Sequence, residues 1–201
     1  MKTAILLDLD RTIFDTDRFW RSVFVAIEDL YGVEKVTEFK NVYNESFQRN
    51  RAVRLAIELV NNDSEKILQR AKSKEYFYDD AVKFIKNREN IFILSVGDYF
   101  TQNIKIKSTG LDLPLILVDV PEKARLIRKN FLKNAKYEIL GQKFDAIELY
   151  DDKASNFMEF EKLPNARGFL IQRNKVYSSA ELEDLPDNVE IVKDFDEISM
   201  L

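Results

Sequence analysis

Residues 3–12 read Thr3-Ala4-Ile5-Leu6-Leu7-Asp8-Leu9-Asp10-Arg11-Thr12. A near-continuous apolar run that breaks off in carboxylates is the pattern of a parallel strand buried on both faces. In open parallel sheets ligands bind beyond the carboxyl ends of the strands. Asp8, Asp10, Arg11 and Thr12 therefore stand where a site is expected, and the rest of the chain is read for what joins them there.

From Phe14 to Glu89 the pattern changes to helical spacing. Phe19, Val23, Ile27 and Leu30 recur at that period and are followed by Gly32, a natural helix stop. Further helices are expected over 36–50, 52–60, 64–71 and 79–87. After Asn90, strands and helices alternate. Strands are expected at 91–94, 115–118, 146–150, 168–171 and 189–192. Helices are expected at 98–109, closed by Gly110, at 121–134, opened by Pro121, and as a short segment over 153–162. Alternation of this kind implies a Rossmann-like parallel sheet with helices on both faces, an α/β fold. The expected organisation is an α/β core of residues 1–13 and 90–201, interrupted by an all-helical insert over 14–89.

Composition narrows the chemistry. The chain has 201 residues, 45% of them hydrophobic, which suffices for one core with a modest insertion. Its formal net charge of -4 carries no electrostatic footprint for nucleic acid or for an anionic membrane. Cysteine and histidine are both absent. Thiolate catalysis, Ser-His-Asp triads, phosphohistidine intermediates and Cys/His zinc sites are thereby excluded. Carboxylates, hydroxyls, lysine, arginine or a hard cation must do the work. The apolar stretch Ala4–Leu7 is too short for a signal-peptide core or a membrane span, so a soluble, cytoplasmic protein is expected.

Two other expected strands also end in polar residues: Ser95-Val96-Gly97-Asp98 after the second, and Tyr150-Asp151-Asp152 after the fourth. Were the first and fourth strands neighbours, Asp8, Asp10, Asp151 and Asp152 would converge. Two like charges about 4 Å apart repel by roughly 4 kcal/mol at an effective dielectric near 20. Such a cluster takes up protons or binds a cation. A hard divalent ion is the simpler resolution, and Mg²⁺ suits a site that also handles phosphate oxygens.

These stretches together resemble the four motifs of the haloacid dehalogenase superfamily: Asp8-x-Asp10-x-Thr12, Ser95, Lys123 near the start of a helix, and Asp151-Asp152, in that order and in matching strand contexts. The resemblance covers residues 1–13 and about 90–201. It implies that Asp8 attacks phosphorus to give an aspartyl-phosphate, and that Asp10 serves as general acid and then as base. It implies that Ser95 holds a phosphoryl oxygen, that Lys123 neutralises charge, and that Asp8, Asp10, Asp151 and Asp152 hold Mg²⁺. Thr12, Arg11 and Gly97 are the candidate substrate contacts. The insert resembles the superfamily's helical C1-type cap, which closes over a site and selects substrate. Arg18, Arg21, Arg49, Arg51 and Arg54 are its candidates for a distal anionic group.

The expected activity is thus phosphomonoester hydrolysis on a small phosphorylated metabolite, and an acid two residues after the nucleophile argues against the dehalogenase branch. Phosphomutase activity and a catalytically silent binding module on the same scaffold are the alternatives. Two positions depart from the family pattern: Arg11 stands where glycine is usual, and Ser95 where threonine is commoner. Blander readings exist for each residue. Lys123 lies in a lysine-rich region and fits a solvated helix face, Asp151 and Asp152 fit helix N-terminal carboxylates, and the insert's arginines and Trp20 fit a solvated face and a helical core. Asn156 fits either a metal shell or solvent.

Overall fold

Continuous burial marks the strands that form the centre of the sheet. In the computed structural model, β1 (Thr3–Leu7) is buried from Ala4 onward. Residues 1–47, 63–71, 76–97, 99–107, 111–119, 122–173 and 177–198 are described. The expected helix at 52–60, Gly110 and Pro121 lie outside them. After β1 come helices α1 (Thr16–Tyr31), α2 (Val33–Phe47), α3 (Ser64–Arg70) and α4 (Asp79–Lys86). The alternating part then runs β2 (Ile91–Val96), α5 (Tyr99–Lys107), β3 (Leu115–Val118) and α6 (Lys123–Asn130). Three short strands follow, β4 (Leu132–Lys133), β5 (Lys136–Ile139) and β6 (Gln142–Phe144). The chain continues through β7 (Ala146–Asp151), β8 (Ala166–Ile171), α7 (Ser179–Glu183), β9 (Val189–Val192) and α8 (Phe195–Ile198).

The six-stranded sheet has the order β3-β2-β1-β7-β8-β9. β1 pairs in parallel with β2 on one side and β7 on the other, and β7:β8 and β8:β9 are parallel too. The chain winds outward from β1 through β2 to β3, then returns to β1's other edge with β7. The winding reverses between β1 and β7, and this switch point is where an α/β sheet opens a crevice. Leu7 is in register with Tyr150, and the Asp8 N–H continues the ladder by donating to the Tyr150 carbonyl at 2.8 Å. The two strands therefore end together, the first delivering Asp8 and the second Asp151.

The chain divides into two units. The α/β unit comprises residues 1–13, 78–95 and 113–201, and the second comprises 14–77 and 96–112. The second unit's described elements are the helices α1, α2, α3 and α5. Asp15 caps α1 by accepting from the Arg18 N–H at 3.0 Å, and Gly32, at φ 86°, ends it. Trp20 is buried, with its ring 5.1 Å from Phe19 and 6.5 Å from Phe39.

Residues 78–89, expected in the insert, belong instead to the α/β unit. The reason is aromatic: the Phe84 ring of α4 packs 5.2 Å from Tyr150 and 4.8 Å from Phe195. Conversely, residues 96–112 cluster with the helices. There Lys105 lies over the Phe14 ring at 5.6 Å.

Two further expectations are corrected. The helix expected to reach Asn134 stops at Asn130, and an antiparallel meander of β4, β5 and β6 follows. Its two-residue loops are Asn134-Ala135 (φ 51° and 59°) and Leu140-Gly141 (φ 48° and 78°). Positive φ at both loop positions twists a hairpin in the sense that its strands require. The helix expected at 153–162 is two 3₁₀ turns, Ala154–Phe157 and Phe160–Lys162. Glu159 separates them at φ 66°, in the left-handed region that an α-helix cannot accommodate.

Candidate active site

The site is assembled by strand and helix ends of the α/β unit. Asp8, one residue beyond β1, and Asp151 and Asp152, at and just past the end of β7, are all buried. One carboxylate oxygen from each lies within 4.8 Å of the others. Lys123, the first residue of α6, is fully buried at 0% exposure. Its ammonium donates to Asp8 Oδ1 and, at 2.6 Å, to Asp151 Oδ2. The second Asp151 oxygen accepts from the Lys153 N–H at 2.9 Å. Thr12 is buried as well, and its hydroxyl donates to Asp8 Oδ2 at 3.2 Å.

One lysine does not balance three buried carboxylates. Burial pushes the Asp8 carboxyl up to about 8, with Asp151, Asp152 and Asp10 adding to the rise and Lys123 opposing it. Asp152 is raised to about 6, by burial first and then by Asp151, while Lys153, Arg11 and Lys123 pull the other way. Burial alone would lower the Lys123 ammonium, but the charges of Asp151 and Asp8 outweigh it and hold the lysine protonated. The trio is thus short of positive charge at neutral pH.

A metal ion fits that deficit. Asp152 Oδ1 and Asn156 Oδ1 are buried oxygens without a hydrogen-bond partner among the described residues. Buried acceptors left without donors are costly, and an all-oxygen donor set of this kind suits a hard cation. Asn156 sits in the first 3₁₀ turn after β7 and is buried.

The remaining sequence candidates take the following places. Asp10 is half-buried and close enough to Asp8 to raise its pKa. Arg11 is exposed and adopts φ 63°, a left-handed conformation that explains why glycine suits this position. Its charge reaches Asp152. Ser95 is buried two residues beyond Ile93, the register partner of Leu7. Gly97 belongs to the helical unit. It has φ 151°, and a Cβ there would come 2.9 Å from Gln102 Nε2. Arg18 and Arg21 line a cavity of about 380 Å³ in the helical unit, with Arg70 and Tyr76. Arg49, Arg51, Arg54 and Asp98 lie outside the described residues.

Two residues that sequence reasoning passed over stand next to this machinery. Arg173, just past β8, donates through Nε to the Thr12 carbonyl at 2.8 Å. Its two terminal nitrogens donate to Asp80 at 3.1 and 3.0 Å. No local pattern marks either residue, because the contacts span 161 and 93 positions of sequence.

The fold has counterparts among solved structures. A protein described as a haloacid dehalogenase-like hydrolase, from Burkholderia xenovorans LB400, superimposes with a TM-score of 0.68 at 15% identity, covering 100% of this chain and 96% of that one. The chain has the haloacid dehalogenase-like fold. A phosphatase with this fold from Thermococcus onnurineus gives 0.62 at 18% identity, covering 100% and 97% of the two chains. A hydrolase-type protein of the same fold from Bacillus subtilis, described as bound to magnesium, gives 0.57 at 14% identity over 99% and 97%. L-2-haloacid dehalogenases share the haloacid dehalogenase-like fold too. No family model and no curated protein matches the chain. Among the described residues, no helix is long and apolar enough to cross a membrane.

Proposed function

We propose that this chain is a metal-dependent phosphomonoester hydrolase of the haloacid dehalogenase superfamily, with Asp8 as its nucleophile. The observation that carries the reading is the buried trio Asp8, Asp151 and Asp152 against a single Lys123. Asp8, Asp151 and Asp152, with Asn156, would hold the cation, which we assign as Mg²⁺. When bound, it supplies positive charge to a phosphoryl group whose own oxygens repel an incoming carboxylate.

The residues of the chain divide the reaction as follows. An Asp8 oxygen attacks phosphorus while the bond to the leaving oxygen breaks, giving an aspartyl-phosphate. Asp10 gives its proton to that leaving oxygen. As a carboxylate it then takes a proton from water, whose oxygen displaces Asp8 from phosphorus and releases inorganic phosphate. Lys123 aims Asp8 and, together with a bound cation, would oppose the burial that favours its protonated form, and Thr12 fixes its second oxygen. Ser95 is assigned a phosphoryl oxygen, and the helical unit is assigned substrate selection, with Arg18 and Arg21 as candidates for an anionic group. The substrate class is a small phosphate monoester.

Asp10 is what favours phosphate over a haloacid. Hydrolysing a phosphate ester requires a proton at the leaving oxygen, whereas a departing halide requires none. Phosphate release from a panel of sugar phosphates, nucleotides and phosphorylated acids, with and without Mg²⁺, tests the proposal. Release that requires the ion and disappears in Asp8→Asn is expected. Halide release from 2-haloacids in place of phosphate release would overturn it.

A further inference from the structure

We propose that Arg173 is a positioning residue that holds the loop carrying Asp10 and Thr12 in place beside Asp8. The proposal deepens the phosphatase reading and rests on it for its catalytic part. Arg173 is nearly enclosed, its side chain 11% exposed and that of Asp80 13%. Its guanidinium carbon lies 3.7 Å from the centre of the Tyr78 ring and 5.6 Å from that of Phe195. Asp80 takes the two terminal nitrogens as a fork and also accepts the Phe195 N–H at 2.9 Å. The guanidinium is thus clamped on its face and its fork. Its remaining Nε–H is directed at the Thr12 carbonyl.

That carbonyl belongs to a loop that needs an outside tie. Arg11, immediately before it, is in the left-handed region, which is strained for a side-chain-bearing residue. Thr12 in turn donates to the nucleophile Asp8, and Asp10 lies two residues upstream. The Ile13 carbonyl next along accepts from Tyr78 at 3.1 Å. Asp80, Arg173, Thr12 and Asp8 form one chain of contacts, from α4 to the reacting carboxylate. A lysine could keep the charge but not the fork and the third donor together.

Leaving-group dependence separates positioning from general support of the fold. Proton donation by Asp10 matters for an alkoxide and little for p-nitrophenolate, which leaves without help. With Mg²⁺ present, Arg173→Leu and Arg173→Lys should each lower kcat/KM, which reports the step that expels the leaving group, on glycerol phosphate by at least about 10-fold, yet lower it on p-nitrophenyl phosphate by no more than about 3-fold. Equal loss on both substrates would assign Arg173 to the fold alone and overturn the proposal. Hydrogen exchange without substrate provides an independent arm: amides of Ile13 and Tyr78 should exchange at least about 10-fold faster in Arg173→Leu, and those of Leu6 and Leu149 at an unchanged rate. Unchanged exchange at Ile13 and Tyr78 would overturn the tie itself. If wild type and Asp8→Asn prove equally inactive or equally active on both esters, it is the phosphatase reading that fails, and exchange alone decides whether Arg173 holds the loop.

Discussion

Lys123 and Asp151 meet at 2.6 Å although 28 residues separate them. The lysine opens helix α6 and the aspartate ends strand β7. Both are buried without remainder, so the ion pair has no solvent to fall back on, and the same ammonium must also serve Asp8. Removing it leaves two buried carboxylates without a counter-charge. Lys123→Met should therefore cost about 3–5 kcal/mol of stability in the absence of divalent ions. Added Mg²⁺ should restore part of that loss. Urea unfolding with and without the ion provides the comparison, and an unchanged midpoint would contradict the buried pairing.

Asp8 sets the pH dependence of the metal-free protein. Its folded pKa, raised to about 8 by burial first, stands above the unfolded value of 3.8. The folded state thus binds a proton that the unfolded state has released throughout the window between them. Stability from this source is complete below pH 3.8 and disappears as pH rises through 8. Between pH 5 and 8 the metal-free protein should lose stability steadily, and Asp8→Asn should flatten that slope. Thermal melts in chelator across this range measure it.

Asp80 gives the opposite sign. Burial would raise its pKa, but hydrogen bonds from Arg173 and from the Phe195 N–H, with the Arg173 charge, hold it below the usual carboxylate value. Its contribution is present above the unfolded pKa and disappears as pH falls through the lower folded value. Acid unfolding below about pH 4 should accordingly be shallower in Asp80→Asn, whose stability at neutral pH is already reduced. An identical acid limb in both proteins would remove Asp80 from the account.

Much of this was legible in the sequence because it is local. The strand of residues 3–7 and its terminal carboxylates are one contiguous signal, and the alternation after Asn90 fixes the parallel sheet. Placing Asp8 beside Asp151 needed only the assumption that β1 and β7 are neighbours. The meander of β4 to β6 was hidden because its turns use Asn134-Ala135 and Leu140-Gly141, and only one of those four residues is a glycine. Helix α4 was misplaced because periodicity shows that a helix is amphipathic and not which core its apolar face meets; Phe84 decides that. Arg173 and Asp80 were unreadable for the same physical reason: a buried ion pair between distant positions leaves no local trace.

Arg11 links local strain to the site. At φ 63° it bears a penalty that glycine avoids, so Arg11→Gly should stabilise the protein by about 0.5–1 kcal/mol if backbone strain dominates. The same change removes a positive charge that lowers the Asp152 pKa. Chemical denaturation at pH 5 and pH 8 separates the two effects, with the larger gain expected at pH 5. A loss of stability at both would contradict the strain.

Borohydride trapping tests the central claim most directly. An aspartyl-phosphate is reduced by borohydride to homoserine, a change that peptide mass spectrometry assigns to a position. With Mg²⁺ and a hydrolysed phosphate ester, the peptide carrying Asp8 should acquire the homoserine mass, and it should not do so without the ester. Turnover with Asp8 unmodified, or with the label on another residue, would contradict the account.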